Sequence, residues 1–325
     1  MRMRRLRSNP AIRSIVTETR LYKDDLIAPV FVNETRQTKR VASLPNHPQW
    51  CMSDYLKHLE RFAMMGGKTV LLFGIPAKKD PLGKQAYGSK GVVQEALRAA
   101  RKQFGHDLVL AADLCFCEYT DHGHCGILRK ANGKGNVVSV DNDATLTITA
   151  KTAVSLAEAG ADIVAPSGMM DGHARAIREA LEADGFKDTL LMSYSAKYSS
   201  GLYGPFRDVA ESAPSAGDRR GYQMHPASSK QAMREIALDV AEGADIVMVK
   251  PAMFYLDIIA KAKASFDVPL AAYQVSGEAW MVDAYAKAGM ARREDIVLES
   301  VLAVKRAGAD LIITYFAEEL LPSLR

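Results

Sequence analysis

Three stretches of the chain share one phrase: Ala159-Gly-Ala-Asp-Ile-Val-Ala-Pro166, Glu242-Gly-Ala-Asp-Ile-Val-Met-Val249 and Ala307-Gly-Ala-Asp-Leu-Ile-Ile-Thr314. In each phrase a glycine stands where the C-terminus of a helix favours a left-handed residue. The β-branched run after it lacks the alternation of a half-exposed strand, which is typical of a parallel strand buried on both faces. Each phrase therefore predicts the end of a helix followed by a buried parallel strand.

Five further apolar runs bring the candidate strands to eight. These runs cover residues 26–32, 69–74, 108–116, 189–197 and 268–277. Helix-like segments separate most of them, at 54–65, 92–104, 146–159, 174–183 and 230–241. Eight parallel strands joined by helices predict an α/β protein with a (β/α)₈ TIM barrel. An open doubly wound sheet is the alternative, but no Gly-x-Gly-x-x-Gly turn follows the first strand.

Length and composition fit one large soluble domain: 325 residues, 48% hydrophobic and 25% charged. We divide the chain into an extended N-terminal arm, residues 1–25, for oligomer contacts and a catalytic barrel, residues 26–325. Four of the 42 basic residues lie in the first seven positions, so the net charge of +4 is largely a feature of the arm and argues against a nucleic-acid surface. Without a membrane-length apolar run or a secretory signal, we expect a cytoplasmic protein with no membrane partner.

Two lysines, Lys197 and Lys250, each close an apolar run that reads as a buried strand. A desolvated lysine near a second cation has a depressed pKa, and its neutral amine can attack a ketone to form a Schiff base. For either lysine taken alone, extension from a strand end into water is the favoured interpretation. The other predicted strands also end in polar residues, which would meet at one rim of a barrel: Asp113, Cys115, Cys117, Ser167, Ser276 and Tyr315.

Three of the four cysteines, Cys115, Cys117 and Cys125, lie in one short window with His122 and His124. Three thiolates suit zinc, and three protein ligands leave a coordination position open for water or a substrate oxygen, which is the pattern of a catalytic site. A closed structural site with one of the histidines as fourth ligand, or a set of unmetallated thiols, remains an alternative.

A long glycine- and serine-containing segment lies between Lys197 and the helix predicted near Ser228, and such loops are commonly functional. Its flexibility allows it to close over a site as a lid. Arg207 and Arg219 within it can hold a carboxylate through paired hydrogen bonds when the lid closes. Solvated surface arginines are the competing interpretation.

The chain resembles the porphobilinogen synthase family, also called 5-aminolevulinate dehydratase, over nearly its whole length. The resemblance rests on Asp25-Leu-Ile-Ala-Pro-Val-Phe31, the cysteine window, Ala165-Pro-Ser-Gly-Met-Met-Asp-Gly172, Ser195-Ala-Lys-Tyr198, Tyr203-Gly-Pro-Phe-Arg207, Val249-Lys-Pro-Ala-Met253 and Tyr273-Gln-Val-Ser-Gly-Glu278. It implies an enzyme of heme biosynthesis that joins two molecules of 5-aminolevulinate into porphobilinogen with loss of two waters.

The resemblance also implies roles for individual residues. Lys250 matches the Schiff-base lysine, Lys197 the second active-site lysine, and the three cysteines the ligands of a catalytic zinc. Arg207, Arg219 and Gln223 match positions that hold one substrate carboxylate, and Ser276 and Tyr315 match those that hold the other. Glu235 matches a ligand of an allosteric magnesium ion outside the active site.

The N-terminal arm carries apolar side chains that a single barrel does not require, at Ile12, Ile15 and Val16. We expect a neighbouring subunit to bury them, and the family resemblance implies a homo-octamer of arm-linked dimers. A frayed terminus is the competing interpretation.

Two other functions remain to be distinguished. A class I Schiff-base aldolase would explain one reactive lysine on a barrel, but neither the second lysine nor the thiols. A zinc-dependent interaction protein on a barrel without catalysis would explain the thiols, but neither the lysine pair nor the lid arginines.

Overall fold

The computed structural model describes residues 1–129 and 139–324. In these two ranges it contains nine strands: β1 (Leu26–Asn33), β2 (Gln49–Trp50), β3 (Thr69–Ile75), β4 (Val109–Leu114), β5 (Ile163–Pro166), β6 (Leu190–Lys197), β7 (Ile246–Lys250), β8 (Leu270–Tyr273) and β9 (Leu311–Ile313). The α-helices there are α1 (Pro10–Ile15), α2 (Met52–Met64), α3 (Val92–Phe104), α4 (Asn142–Glu158), α5 (His173–Ala183), α6 (Gly204–Val209), α7 (Ser229–Ala241), α8 (Leu256–Ser265), α9 (Ser276–Lys287), α10 (Arg293–Ala307) and α11 (Ala317–Leu320).

The strands form one closed parallel barrel, as the recurring phrase predicts. β1 and β3 to β9 pair in chain order, and β9 pairs back with β1, so the eight-strand ring is complete. β2 was not predicted, since its two residues carry no strand pattern. It lies outside the ring and pairs in parallel with the end of β1. The inner strands are almost entirely buried, which explains why their residues do not alternate between apolar and polar.

The aspartate of the recurring phrase joins neighbouring strands at the amino end of the barrel. Its carboxylate accepts the backbone N–H of a residue at the start of the preceding strand and also binds a cation from a helix. The three sets are Asp162 with Leu110 and Arg101, Asp245 with Leu191 and Arg178, and Asp310 with Leu270 and Lys263. The glycines two positions earlier have φ of +104°, +98° and +118°, so the left-handed positions are confirmed.

Several predicted boundaries were wrong at the carboxyl ends of strands. The run 268–277 contains only the four-residue β8, and Ser276 is the first residue of α9 rather than the end of a strand. The run 108–116 ends as a strand at Leu114, and Tyr315 follows β9 by two residues. Apolar residues continue past the last ladder hydrogen bond because the loops at this end are buried too.

The N-terminal arm precedes β1 and contains a 3₁₀ turn, Met3–Arg7, and helix α1, neither of which has a buried residue. Ile15 and Val16 are 78% and 42% exposed in the single chain. Within the described ranges, no helix combines the length and apolarity needed to cross a membrane.

Candidate active site

The two lysines lie side by side at the carboxyl end of the barrel. β6 and β7 are neighbours, and Lys197 pairs with Lys250 in register. Both side chains are buried, with 5% and 4% exposure. The Lys197 ammonium donates a hydrogen bond to the backbone oxygen of Ser167 at the end of β5. The sequence placed these lysines at strand ends, and the barrel brings them into one cluster.

Aromatic rings surround the Lys250 amine. Its Nζ lies 4.0 Å from the ring centre of Tyr273, and three further rings lie within 5.5 Å: Tyr194, Phe206 and Tyr203. Rings of this kind attract an ammonium ion. Burial and the nearby Lys197 act in the opposite direction and lower the pKa of Lys250 to about 7. A substantial fraction of the amine is therefore neutral near pH 7.

Two buried carboxylates, those of Asp113 and Glu118, adjoin the lysine cluster, and neither was predicted to act in catalysis. Asp113, at the end region of β4, accepts a hydrogen bond from the Ser167 hydroxyl at 3.2 Å. Burial and then Glu118 raise the pKa of Asp113 to about 7, although both lysines act against this rise. Each acid interrupts a buried apolar segment, where a carboxylate requires a polar partner. This pattern in the sequence could have indicated that both acids belong to a polar site.

The three cysteines form a compact cluster beside the lysines. Their sulfur atoms lie within 4.8 Å of one another, and Cys115 and Cys117 are 3.3 Å apart. All are free thiols and fully buried. Hydrogen bonds from the other two thiols lower the pKa of Cys125, and Arg219 and Lys197 lower it further. Cys125 is therefore the thiol that most readily becomes a thiolate, the form of cysteine that binds metals, while its hydrogen bonds to Cys115 and Cys117 raise the pKa of those two thiols.

The two neighbouring histidines use their ring nitrogens elsewhere. His124 Nδ1 lies 3.1 Å from the Tyr222 hydroxyl, and its Nε2 lies 2.8 Å from the backbone oxygen of Ala216. His122 Nδ1 accepts the His124 N–H, and its Nε2 lies 3.2 Å from the Pro81 oxygen. Among the residues described, the set of potential metal ligands close enough to share an ion contains only the three thiols. This geometry favours three protein ligands over a closed four-ligand site.

The lid, defined here as residues 198–227, carries buried polar groups that are unpaired within the described part of the structure. It is more ordered than a simple loop, since it contains a 3₁₀ turn (Gly201–Tyr203) and α6. The buried Nε atoms of Arg207 and Arg219 and both amide atoms of Gln223 find no partner among the residues that the structure describes. Buried polar groups are rarely left unpaired. These three side chains are therefore candidate ligands for a bound substrate group.

Ser276 and Tyr315 each contact a residue whose ring lies around the Lys250 amine. The Ser276 hydroxyl accepts the Phe206 N–H at 2.9 Å, which ties the first turn of α9 to α6. The Tyr315 hydroxyl lies 3.4 Å from that of Tyr273, the ring closest to the Lys250 amine. Both hydroxyl groups thus adjoin the lysine cluster, although neither belongs to a strand.

A further carboxylate that sequence reasoning missed joins the loops that carry Lys250 and Ser276. Glu278, fully buried in the first turn of α9, accepts backbone N–H groups of Ala252, Met253 and Val275. Glu278 lies three residues after Val275, the residue that caps the start of α9. A glutamate at this spacing is typical of a helix start, and the sequence could have shown it. Glu278 holds the turn after Lys250 against the start of α9.

Glu235 lies apart from the lysine cluster, on α7. It lines a cavity of about 850 Å³ together with Asp171, Gln231 and the lid residue Gln223. Its carboxylate accepts a hydrogen bond from Gln231 at 3.2 Å. Burial and then the neighbouring Asp171 raise its pKa. The position outside the lysine cluster agrees with a separate role, while a magnesium ion there stays a prediction.

A family model for delta-aminolevulinic acid dehydratase matches residues 1–322. The chain belongs to this family. It is 49% identical over 324 residues to the delta-aminolevulinic acid dehydratase of Methanothermus sociabilis, covering 99% of this chain and 98% of the relative. It is 48% identical to the enzyme of the same name from Bacillus subtilis strain 168, with 98% and 96% covered.

A solved dehydratase has the same structure. The delta-aminolevulinic acid dehydratase (porphobilinogen synthase) of Toxoplasma gondii ME49, solved in complex with the reaction product porphobilinogen, superposes with a TM-score of 0.94 at 39% identity. The match covers 99% of this chain and 90% of that one. Membership of the delta-aminolevulinic acid dehydratase family confirms the predicted family and lyase class and decides against the aldolase and interaction-protein interpretations.

Proposed function

We propose that the chain condenses two molecules of 5-aminolevulinate to porphobilinogen with loss of two waters, in heme biosynthesis. The observation that carries this proposal is the pair of buried lysines on adjacent strands, one with its pKa near 7, beside three clustered thiols. Family membership supports the same reaction.

Lys250 is the proposed nucleophile. Its neutral amine attacks the ketone carbon of the first substrate, and loss of the carbonyl oxygen as water gives a Schiff base. The departing oxygen needs a proton, and a carboxyl group with a pKa near 7 can hold one at neutral pH. Asp113 supplies such a group in the same cluster. Lys197 keeps Lys250 neutral by charge repulsion and can itself bind the second substrate.

Cys115, Cys117 and Cys125 would hold a zinc ion, because three buried sulfur atoms at mutual distances under 4.8 Å fit its tetrahedral thiolate coordination with one position open. When bound, zinc polarises a substrate carbonyl as a Lewis acid. The chain's own contribution is to bury the ion and to place Arg219 beside the thiolates.

The two substrate carboxylates have separate proposed binding groups. Arg207, Arg219 and Gln223 bind one, because their buried unpaired donors need an anionic partner. Ser276 and Tyr315 bind the other through their hydroxyl groups. Holding each carboxylate away from the reacting carbonyl aligns the two substrates before bond formation.

Assembly is also part of the proposal. The exposed apolar residues of the arm, Ile15 and Val16, favour burial on a neighbouring subunit in an arm-linked homo-octamer. Magnesium near Glu235 would favour the larger assembly. Light scattering on the intact protein and on a variant lacking residues 1–16 tests this: we expect a smaller mass and lower activity after truncation. Equal masses and equal activity would show that the arm is a tail.

A cytoplasmic location completes the proposal, since all four cysteines are free and such thiols persist in a reducing compartment.

Incubation with 5-aminolevulinate and a colour test for pyrroles tests the reaction directly. We expect one porphobilinogen for every two substrate molecules consumed. Substrate cleavage without a pyrrole, or no reaction with zinc loaded, would contradict the proposed function.

A further inference from the structure

The lid packs against the thiol loop, residues 115–125, through several polar contacts. Ser215 donates its backbone N–H to the His122 oxygen at 3.0 Å, and Arg219 Nη2 donates to the Gly123 oxygen at 3.0 Å. These contacts join a segment that carries substrate-binding groups to the segment that carries all three clustered thiols.

Gly123 brings the two segments close together. It has φ of +68°, and a Cβ built on it would lie 2.2 Å from the Ala213 oxygen in the lid. Glycine is therefore required there both for its backbone conformation and for space. The lid backbone rests directly on the thiol loop.

His124 holds the lid at two points. Its ring is 1% exposed. Nε2 faces a carbonyl oxygen, that of Ala216, so it must carry the proton and donate. Its Nδ1 is hydrogen-bonded to the Tyr222 hydroxyl at 3.1 Å. The same hydroxyl also accepts the backbone N–H of the thiol residue Cys125 at 3.4 Å.

Tyr222 transmits this attachment to Arg219 and Gln223. The backbone N–H groups of Tyr222 and Gln223 both donate to the Arg219 oxygen, at 3.2 and 2.9 Å, so the three residues share one tight turn. Fixing the Tyr222 hydroxyl therefore constrains the turn from which the Arg219 and Gln223 side chains extend.

We propose that His124, through Tyr222, is a positioning residue that couples metal binding by the thiols to closure of the lid. A metal ion orders the thiol loop, the ordered loop presents His124, and His124 holds the turn that carries Arg219 and Gln223. Because such coupling is reciprocal, closure of the lid tightens metal binding by the same factor. This inference rests on the proposed function of the thiols as zinc ligands.

Limited trypsin digestion with a zinc titration tests the coupling, because the exposed Arg220 side chain in the lid is a cleavage site. Zinc should slow cleavage after Arg220 in the parent protein by a factor within the usual range of allosteric coupling, about 5- to 150-fold. Tyr222→Phe, which removes only the hydroxyl, should lose most of this protection. His124→Phe should lose it as well, and the double variant should lose no more than either single variant.

Two further variants separate positioning from general damage. His124→Gln can restore one of the two hydrogen bonds and should recover part of the protection, while Gly123→Ala should open the lid with His124 intact. Tyr285→Phe, on the exposed face of α9, is the matched control and should behave as the parent. Far-ultraviolet circular dichroism confirms that each variant is folded.

Zinc affinity and kinetics supply the second readout. Competition with a chromophoric chelator measures zinc affinity. Tyr222→Phe should bind zinc more weakly than the parent, by the same factor by which it loses protection from trypsin. With zinc saturating, its KM should rise about fivefold or more while kcat changes less. Protection that is absent in the parent, or unchanged in Tyr222→Phe and His124→Phe, would overturn the coupling. If the parent protein makes the pyrrole but shows no zinc-dependent protection, only this inference is contradicted. If it makes no pyrrole, the proposed function is contradicted.

Discussion

The two ends of the barrel differ in how their polar groups are paired. At the amino end, Asp162, Asp245 and Asp310 each bind both a backbone N–H of a neighbouring strand and a basic side chain. At the carboxyl end, the Nε atoms of Arg207 and Arg219 are buried without partners among the described residues. The amino end of the barrel thus carries paired polar groups, whereas the lid at the carboxyl end carries buried donors without a protein partner among the described residues.

This difference separates stability from function. A paired group at the amino end stabilises the fold. When one partner is removed, the buried donor that remains has no hydrogen bond to offset its desolvation. At the carboxyl end, burial lowers the pKa of Lys250 and of Arg207, so their charged forms cost stability, and the proposed reaction accounts for their retention. Substitutions at the amino end should therefore lower stability more than activity, and substitutions at the carboxyl end should lower activity more than stability.

The largest effect should follow from Lys250→Met, which removes the amine and keeps the volume. We expect kcat to fall by at least ~10³-fold, as for the loss of other covalent nucleophiles. Thermal stability at pH 7 should not fall, because the folded state holds the pKa of Lys250 below its unfolded value and so disfavours its protonated form. Lys197→Met should also be severely impaired. Steady-state kinetics and thermal melts measure activity and stability in both variants. If Lys250→Met kept most of its activity, Lys250 would not be the nucleophile.

Removing the metal should abolish activity and leave the barrel folded. The strand and helix hydrogen bonds do not depend on the thiol loop, so circular dichroism should be unchanged after chelation. Activity should return on addition of zinc. A cooperative loss of structure on chelation would indicate a structural metal, and full activity of the metal-free protein would contradict a catalytic one.

Arg207→Ala and Arg219→Ala should each raise KM by roughly 10- to 100-fold, since a hydrogen bond to a charged group contributes about 1.5–3 kcal/mol. The expected effect on kcat is smaller, because the bound carboxylate is remote from the reacting carbonyl. Arg292→Ala, which removes an exposed ion pair at the start of α10, is the matched control. If KM were unchanged in both lid variants, these arginines would be surface charges only.

Asp162→Ala should produce the smallest effect on activity and a clear effect on stability. The variant leaves the Leu110 N–H without its carboxylate acceptor and Arg101 without its ion pair. We expect a loss of about 1–3 kcal/mol in the free energy of unfolding, the cost of leaving a buried group unpaired. Denaturant titration measures it. A change in KM rather than in stability would break the division between the two ends.

Much of the fold could be predicted because parallel strands buried on both faces leave a plain signal. The three Gly-Ala-Asp phrases located β5, β7 and β9, and their glycines adopt the predicted conformation. Helix α4 begins at Asn142 rather than at residue 146, since Asp141 caps a polar first turn that hydrophobic periodicity does not detect. β2 is too short to carry a pattern.

The site was predicted unevenly for a physical reason. Lysines and clustered thiols in buried segments are rare enough to be noticed one at a time. The buried acids Asp113 and Glu278 could be noticed in the sequence, but most partners of these acids and of His124, such as Ser167 and Tyr222, come from distant parts of the chain, so only the folded structure shows their roles. Local sequence contains no record of such pairs.

The most direct test of the central claim is trapping of the Schiff base at Lys250 as a function of pH. The protein is incubated with 5-aminolevulinate and cyanoborohydride, and the modified peptide is identified by mass. With the pKa of Lys250 near 7, the trapping rate should hold above that pH and fall as the amine becomes protonated below it. A label on the peptide that contains Lys250, with a midpoint near pH 7, is the predicted result. A label elsewhere, or a midpoint near the pKa of an ordinary exposed lysine, would contradict the account.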